Sequence, residues 1–190
     1  MSSKIRVAIF GSGTGSNAKN LIEHFAGHDR VEISWVLSNK PQALILQHAK
    51  DAHIPTRIIT KSDQENCSSL IDELKNQHID WIILAGYLWK IPAELCSAFP
   101  NKMINIHPAL LPNYGGKGMY GHFVHEAVFA AKEKESGITI HYVNEHYDEG
   151  NIIFQAKCTI DENDGPEGIE KKVRALEIAH FPHVVESTIQ

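Results

Sequence analysis

Apolar positions in the first half of the chain fall into short unbroken runs that alternate with stretches at helical spacing. Lys4–Phe10, Val31–Leu37 and Asp80–Ala85 are rich in branched apolar residues, the pattern of strands covered on both faces. Arg57–Thr60 reads as a shorter strand between them. Asn17–Phe25 places Ala18, Leu21, Ile22 and Phe25 on one helical face. Pro41–Ala52 and Cys67–Gln77 read as two further helices, with Pro41 suited to a first turn. This βα alternation predicts an α/β fold, an open, mostly parallel twisted sheet with helices on both faces.

The second half changes character. Met103–His107 reads as a short strand that runs into Pro108, and Ala109–Tyr120 as a long loop rich in Gly, Pro and Asn. His122–Lys134 reads as a helix, Ile138–Val143 and Asn151–Ile160 as two late strands forming an antiparallel section. The last helix spans about 166–186 and is expected to kink near Pro182. No repeat or linker divides the chain. One domain over 1–190 is expected, with a phosphate-binding half (1–100) and a catalytic half (101–190).

Composition narrows the class. A net charge of −5 argues against a nucleic-acid partner, which selects for basic excess. Cys67, Cys96 and Cys158 form no Cys-x-x-Cys pair, so they read as idle thiols of a reducing compartment. The N-terminus shows no secretory leader, and no apolar run reaches the length of a membrane span. A cytoplasmic protein is expected, with no membrane partner, as a monomer or homodimer.

The turn Gly11-Ser-Gly-Thr-Gly-Ser-Asn17 lies between the first strand and first helix. Glycines there let backbone N–H groups approach an anion, and the helix N-terminus favours negative charge. Ser12, Thr14 and Ser16 are candidate hydroxyl donors. The dinucleotide fingerprint fails, because its third glycine is Ser16 and no acid occurs in Leu37-Ser-Asn-Lys40. No Gly-Lys-Ser/Thr follows either. A phosphate site is favoured over a tight turn with no ligand.

In Asn105-Ile-His-Pro108 the amide and the imidazole share a strand face where the long loop begins. An Asn N–H₂ stabilises a developing oxyanion, and a His donates or relays a proton. Asp148, in a turn between the late strands, is the best carboxylate partner for His107. The plain alternative is a hydrogen-bonded core Asn beside a surface His. His122 and His125, three apart on one helix, and His141 and His146 raise the question of a metal. Their spacing suits surface or substrate-facing roles better.

Ser12–Asn17, Leu84-Ala-Gly-Tyr87 and Asn105-Ile-His-Pro-Ala-Leu-Leu-Pro112 occur in an order and spacing that resembles the phosphoribosylglycinamide formyltransferase family. Gly137–Val143 and Asp148-Glu-Gly150 also look like that family, so the resemblance covers nearly the whole chain. It implies a Rossmann-like formyltransferase fold and transfer of a formyl group from N10-formyltetrahydrofolate to the amine of glycinamide ribonucleotide. No metal is implied. By the resemblance Asn105, His107 and Asp148 are catalytic. Gly15, Ser16, Asn17 and Glu177 hold the ribonucleotide. Leu88, Trp89, Lys90 and Ile91, with Asn105, Asn144 and Asp148, line the folate site. Two departures stand out: Trp89, where many relatives carry Arg, and the glycine-rich loop Tyr114–Gly121. Lys117 in that loop is either an extra phosphate contact or a solvated lysine. Formyltetrahydrofolate hydrolases and methionyl-tRNA formyltransferases share parts of the pattern, but each is expected to carry an additional domain. Another formyl-folate-dependent amine formyltransferase is a further alternative, and a phosphate-binding module without catalysis is the reading from a different class.

Overall fold

A computed structural model describes residues 3–189. Strands β1 (Ile5–Phe10), β2 (Val31–Ser38), β3 (Thr56–Ile58) and β4 (Trp81–Leu84) alternate with helices α1 (Ser16–His24), α2 (Leu44–Asp51), α3 (Lys61–Glu65) and α4 (Ser68–Asn76). A short helix α5 (Ala93–Ala98) leads to β5 (Met103–His107), followed by α6 (His122–Ala130), β6 (Glu135–Tyr142), β7 (Ile152–Thr159) and the long α7 (Gly165–Thr188). The sheet has the order β3-β2-β1-β4-β5-β6-β7. β1 pairs in parallel with β2 and β4, β2 with β3, whereas β6 and β7 are antiparallel. The expected α/β class, mostly parallel with a late antiparallel section, is the one observed.

The chain forms two compact units whose boundary falls inside β5, between Ile104 and Asn105. In the first, Val7, Ala8 and Ile9 of β1 and Ile82 and Ile83 of β4 have no exposed surface. Their unbroken apolar runs reflect a sheet covered on both faces. α1 buries Ala18, Leu21 and Ile22, and α2 buries Ile45, Leu46 and Ala49. Arg57 on β3 pairs with Asp63 of α3 and Glu73 of α4. That guanidinium, before all else, pushes the Asp63 carboxyl down to about 2. In the second unit, α7 packs on α6, β6 and β7. Its Ile169, Val173, Phe181 and Val185 meet a core that includes Val124, Val128, Ile138 and Ile140.

Several boundaries differ from the sequence expectation. Pro41 is not in the first turn of α2, which begins at Leu44. Ala43 N–H donates to the Lys40 carbonyl (3.1 Å), so Pro41 takes the second position of a β-turn. Thr60 does not end a strand but caps α3. Its hydroxyl accepts from Asp63 N–H while the Asp63 carboxylate accepts from Thr60 N–H, a reciprocal capping box. α5 has no counterpart in the expected elements. α6 stops at Ala130 because Lys132 takes a left-handed backbone (φ 56°), and β6 starts three residues early at Glu135. α7 is a single helix through the buried Pro182.

Candidate active site

The glycine turn belongs to the first unit. Gly11 N–H donates to the Leu37 carbonyl and Ser12 N–H to the Gly86 carbonyl, both at 3.0 Å. Two of its glycines are required by the fold. A Cβ on Gly11 would lie 2.9 Å from the Ala85 carbonyl oxygen, and Gly15 has φ 73° with Ile45 backbone 2.7 Å from where a Cβ would sit. Gly13 is different: nothing lies within 4 Å, and its φ is ordinary. Neither packing nor conformation calls for glycine there, and the backbone at Gly13 lies open to approach. Helix α1 starts at Ser16, and Gly15 before it has no side chain with which to cap the first N–H groups.

Of the three candidate hydroxyls, Ser12 is ruled out as a ligand donor. It is buried, donates to Asn39 Oδ1 (2.5 Å) and accepts from Leu88 N–H (2.9 Å), so its proton is committed. Thr14 is exposed, and Ser16 and Asn17 are half-buried. Leu88 and Trp89 are half-buried, Lys90 is exposed, and Ile91 is a core residue at 5% exposure.

The second unit gathers Asn105, His107 and Asp148, and adds His141. His107, at the end of β5, is 3% exposed. Its Nδ1 lies 3.6 Å from Asp148 Oδ2, and its Nε2 lies 2.7 Å from the Tyr114 carbonyl oxygen. Both ring nitrogens therefore face acceptors, a pattern that matches an imidazolium. Burial acts the other way and holds the His107 pKa below the ordinary histidine value, against the pull of Asp148 and the Tyr114 carbonyl. For Asp148, burial also favours the neutral acid, yet His141, His107 and the Gly116 N–H (2.9 Å) together outweigh it and keep the carboxyl low.

Asn105 Nδ2 is 3.1 Å from His141 Nε2 and 3.5 Å from Asp148 Oδ1. His141 Nδ1 faces the Tyr142 carbonyl at 2.8 Å. His141 Nε2 thus faces both the Asn105 amide and, at 3.6 Å, Asp148 Oδ1, so one imidazole contacts both side chains. Turn geometry delivers Asp148. Its φ is 56°, and a Cβ on Gly150 would lie 1.6 Å from the Tyr142 carbonyl oxygen, so the turn folds directly onto the end of β6. On the loop side, a Cβ on Gly115 would meet Leu111 at 2.5 Å and Asp148 at 3.3 Å. Tyr114 OH donates to Glu133 (2.7 Å) and anchors the loop from outside.

Of the other expected site residues, Asn144 is exposed and accepts from His146 N–H (2.9 Å), and Glu177 is half-buried on α7. Of the histidines expected at the surface or facing substrate, His125 and His141 are not at the surface: they are 3% and 2% exposed. Apolar neighbours on α6 and the inward face of β6 take them into the core. His107 is likewise no surface residue. His141 was the residue most easily missed; its signal is a lone histidine inside the apolar run Ile138–Tyr142. The Tyr114 carbonyl and the Gly116 N–H are backbone groups, which residue type does not reveal.

The strand-end amide and imidazole thus meet one half-buried carboxylate, and comparison with known proteins gives the class: the chain belongs to the formyl transferase family, which matches residues 5–185. Within that family, similar proteins include phosphoribosylglycinamide formyltransferases. The chloroplastic one of Arabidopsis thaliana is 40% identical over 186 residues, covering 95% of this chain and 64% of that protein. The one of Bacillus subtilis is 34% identical, covering 97% and 94%. The crystal structure of the enzyme from Anaplasma phagocytophilum superposes with a TM-score of 0.88 at 33% identity, covering 99% of this chain and 88% of that one. The chain spans 60 to 64% of the length of the two chloroplastic relatives. No helix among the described residues is long and apolar enough to cross a membrane.

Proposed function

We propose that the chain transfers the formyl group of N10-formyltetrahydrofolate to the amine of 5'-phosphoribosylglycinamide, in the cytoplasm, as a step of purine biosynthesis. The observation that carries this is the Asn105–His107–Asp148 constellation, with His107 buried between its partners, in a member of the formyl transferase family. The chain acts as one domain, the first half holding phosphate and the second carrying the chemistry. It works as a monomer or homodimer and needs no metal, nucleic-acid or membrane partner.

In this reading the substrate amine attacks the formyl carbon, forming a C–N bond and a tetrahedral oxyanion. Asn105, beside His141, donates to that oxygen the amide hydrogen that otherwise spans 3.5 Å to Asp148 Oδ1. His107 donates to it from Nε2, whose direction the Tyr114 carbonyl sets, as the developing negative charge offsets the burial that holds its pKa down. The bond from the formyl carbon to folate N10 then breaks, and the proton of the attacking nitrogen passes to N10. Asp148 stabilises the charged His107. Gly15, Ser16 and Asn17 hold the ribose phosphate on their N–H groups, with Glu177 on the glycinamide end. Leu88 to Ile91 and Asn144 to Asp148 border the folate.

The test is an absorbance assay with a formyl-folate analogue and glycinamide ribonucleotide. Turnover that needs both ligands, reduced at least ~10²-fold in His107→Ala, is expected. Formyl release without the ribonucleotide would instead indicate a formyltetrahydrofolate hydrolase. Ribonucleotide binding without turnover would indicate a non-catalytic module.

A further inference from the structure

Thr139 and Gln155 stand opposite each other in the β6–β7 register, and both reach the segment that follows His107. Thr139 has no exposed surface. Its hydroxyl donates to the Ala109 carbonyl (2.7 Å) and accepts from Leu111 N–H (3.0 Å) and from Gln155 Nε2 (2.9 Å). The second Gln155 amide hydrogen goes to the Leu111 carbonyl (3.0 Å). A hydroxyl has one proton and two lone pairs, and an amide nitrogen has two protons, so every position in this cluster is filled and the direction of each bond is set. Pro108 and Pro112 bracket the segment and contribute no N–H, which leaves side chains to do what a neighbouring strand would otherwise do.

The held segment leads into a turn where Tyr114 has φ 56° and Gly116 φ 94°. That turn brings the Tyr114 carbonyl to His107 Nε2 and Gly116 N–H to Asp148 Oδ2. We propose that the Thr139–Gln155 pair is a positioning device for His107: it fixes the 109–111 backbone and so sets where the Tyr114 carbonyl meets the imidazole. Neither residue touches the reacting atoms in this arrangement; both act through the loop. The inference rests on the role given to His107 above.

The variants are Gln155→Met, which keeps the length and loses both donors, Thr139→Val, which keeps the shape and loses the hydroxyl, and Thr139→Ser, which retains it. Each is measured as the full chain, by steady-state kinetics and by ¹⁵N NMR of the His107 ring, beside His107→Ala. Gln155→Met and Thr139→Val are expected to lower kcat about tenfold, as slight misplacement of a reacting group does, with both KM values within about twofold. The His107 Nε2 resonance is expected to move and its proton to exchange faster. Thr139→Ser restores both readouts. A folded Gln155→Met protein with unchanged His107 resonances overturns the proposal, and this variant decides alone if Thr139→Val does not fold. If the resonances move but kcat does not, His107→Ala discriminates. An inactive His107→Ala overturns the positioning role, whereas an active one leaves the clamp on His107 standing and overturns the catalytic reading of His107 instead.

Discussion

Asp148 carries its carboxylate on a left-handed backbone, where Asn and Asp are tolerated better than most side chains. Asp148→Asn therefore removes the charge and leaves the turn intact. Turnover is expected to fall ~10²-fold while the melting temperature stays within ~2 °C; near-normal turnover by the formyl-transfer assay would sink the assignment. Gly150→Ala tests the other half of the turn. A methyl 1.6 Å from the Tyr142 carbonyl oxygen cannot be accommodated without moving backbone. A melting-temperature loss of several degrees is expected, together with displacement of Asp148 seen as a loss of activity. At this scale the sequence was informative about residue type. Asn105 and His107 announce themselves by sharing a strand face. His141 does not, because an imidazole inside an apolar run looks like any half-polar core residue until its partners are known.

At the scale of elements, the glycine turn separates structural from functional need. Gly15→Ala forces a Cβ into Ile45 at a left-handed φ, so unfolding at lower temperature is expected. Gly13→Ala meets open space and an ordinary φ, so it is expected to fold normally, raise the KM for the ribonucleotide several-fold and leave folate binding unchanged. Equal loss of both ligands in Gly13→Ala would refute a phosphate role for the turn. Longer elements were legible because their periodicity is strong: β1, β2 and α4 lie within a residue or so of expectation. α3 and α5 were not, since five or six residues carry little periodicity and α3 depends on one capping box. The early end of α6 comes from a left-handed Lys132, a local backbone choice that side-chain pattern does not encode.

For the molecule as a whole, burial of histidines sets the response to acid. His107 and His125 both take up a proton less readily than an ordinary histidine near 6.5, because burial penalises the cation. Around His125, Glu170 on α7 opposes that effect, while His107 and His122 add to it. Below about pH 6.5 the unfolded chain binds these protons and the native chain does not, so stability rises with pH across this window and is lost as pH falls through it. Asp148 acts in a lower window: its depressed pKa contributes stability that is present above the ordinary carboxylate range and lost as pH drops below it. His125 Nδ1 is buried and has no hydrogen-bond partner. His125→Leu is therefore expected to flatten the fall in melting temperature between pH 7.5 and 5.5; an unchanged slope would show that His125 does not govern it.

Ser12 joins three loops through one oxygen: its own glycine turn, Asn39 after β2 and Leu88 after β4. These loops follow adjacent strands, so their relative heights are not independent variables. In thermodynamic terms, if the ribonucleotide and the folate border them as proposed, the two ligands share a common ordering cost, and the first to bind relieves the second of part of it. Ser12→Ala would loosen that linkage, weakening both affinities together and making each less dependent on the other.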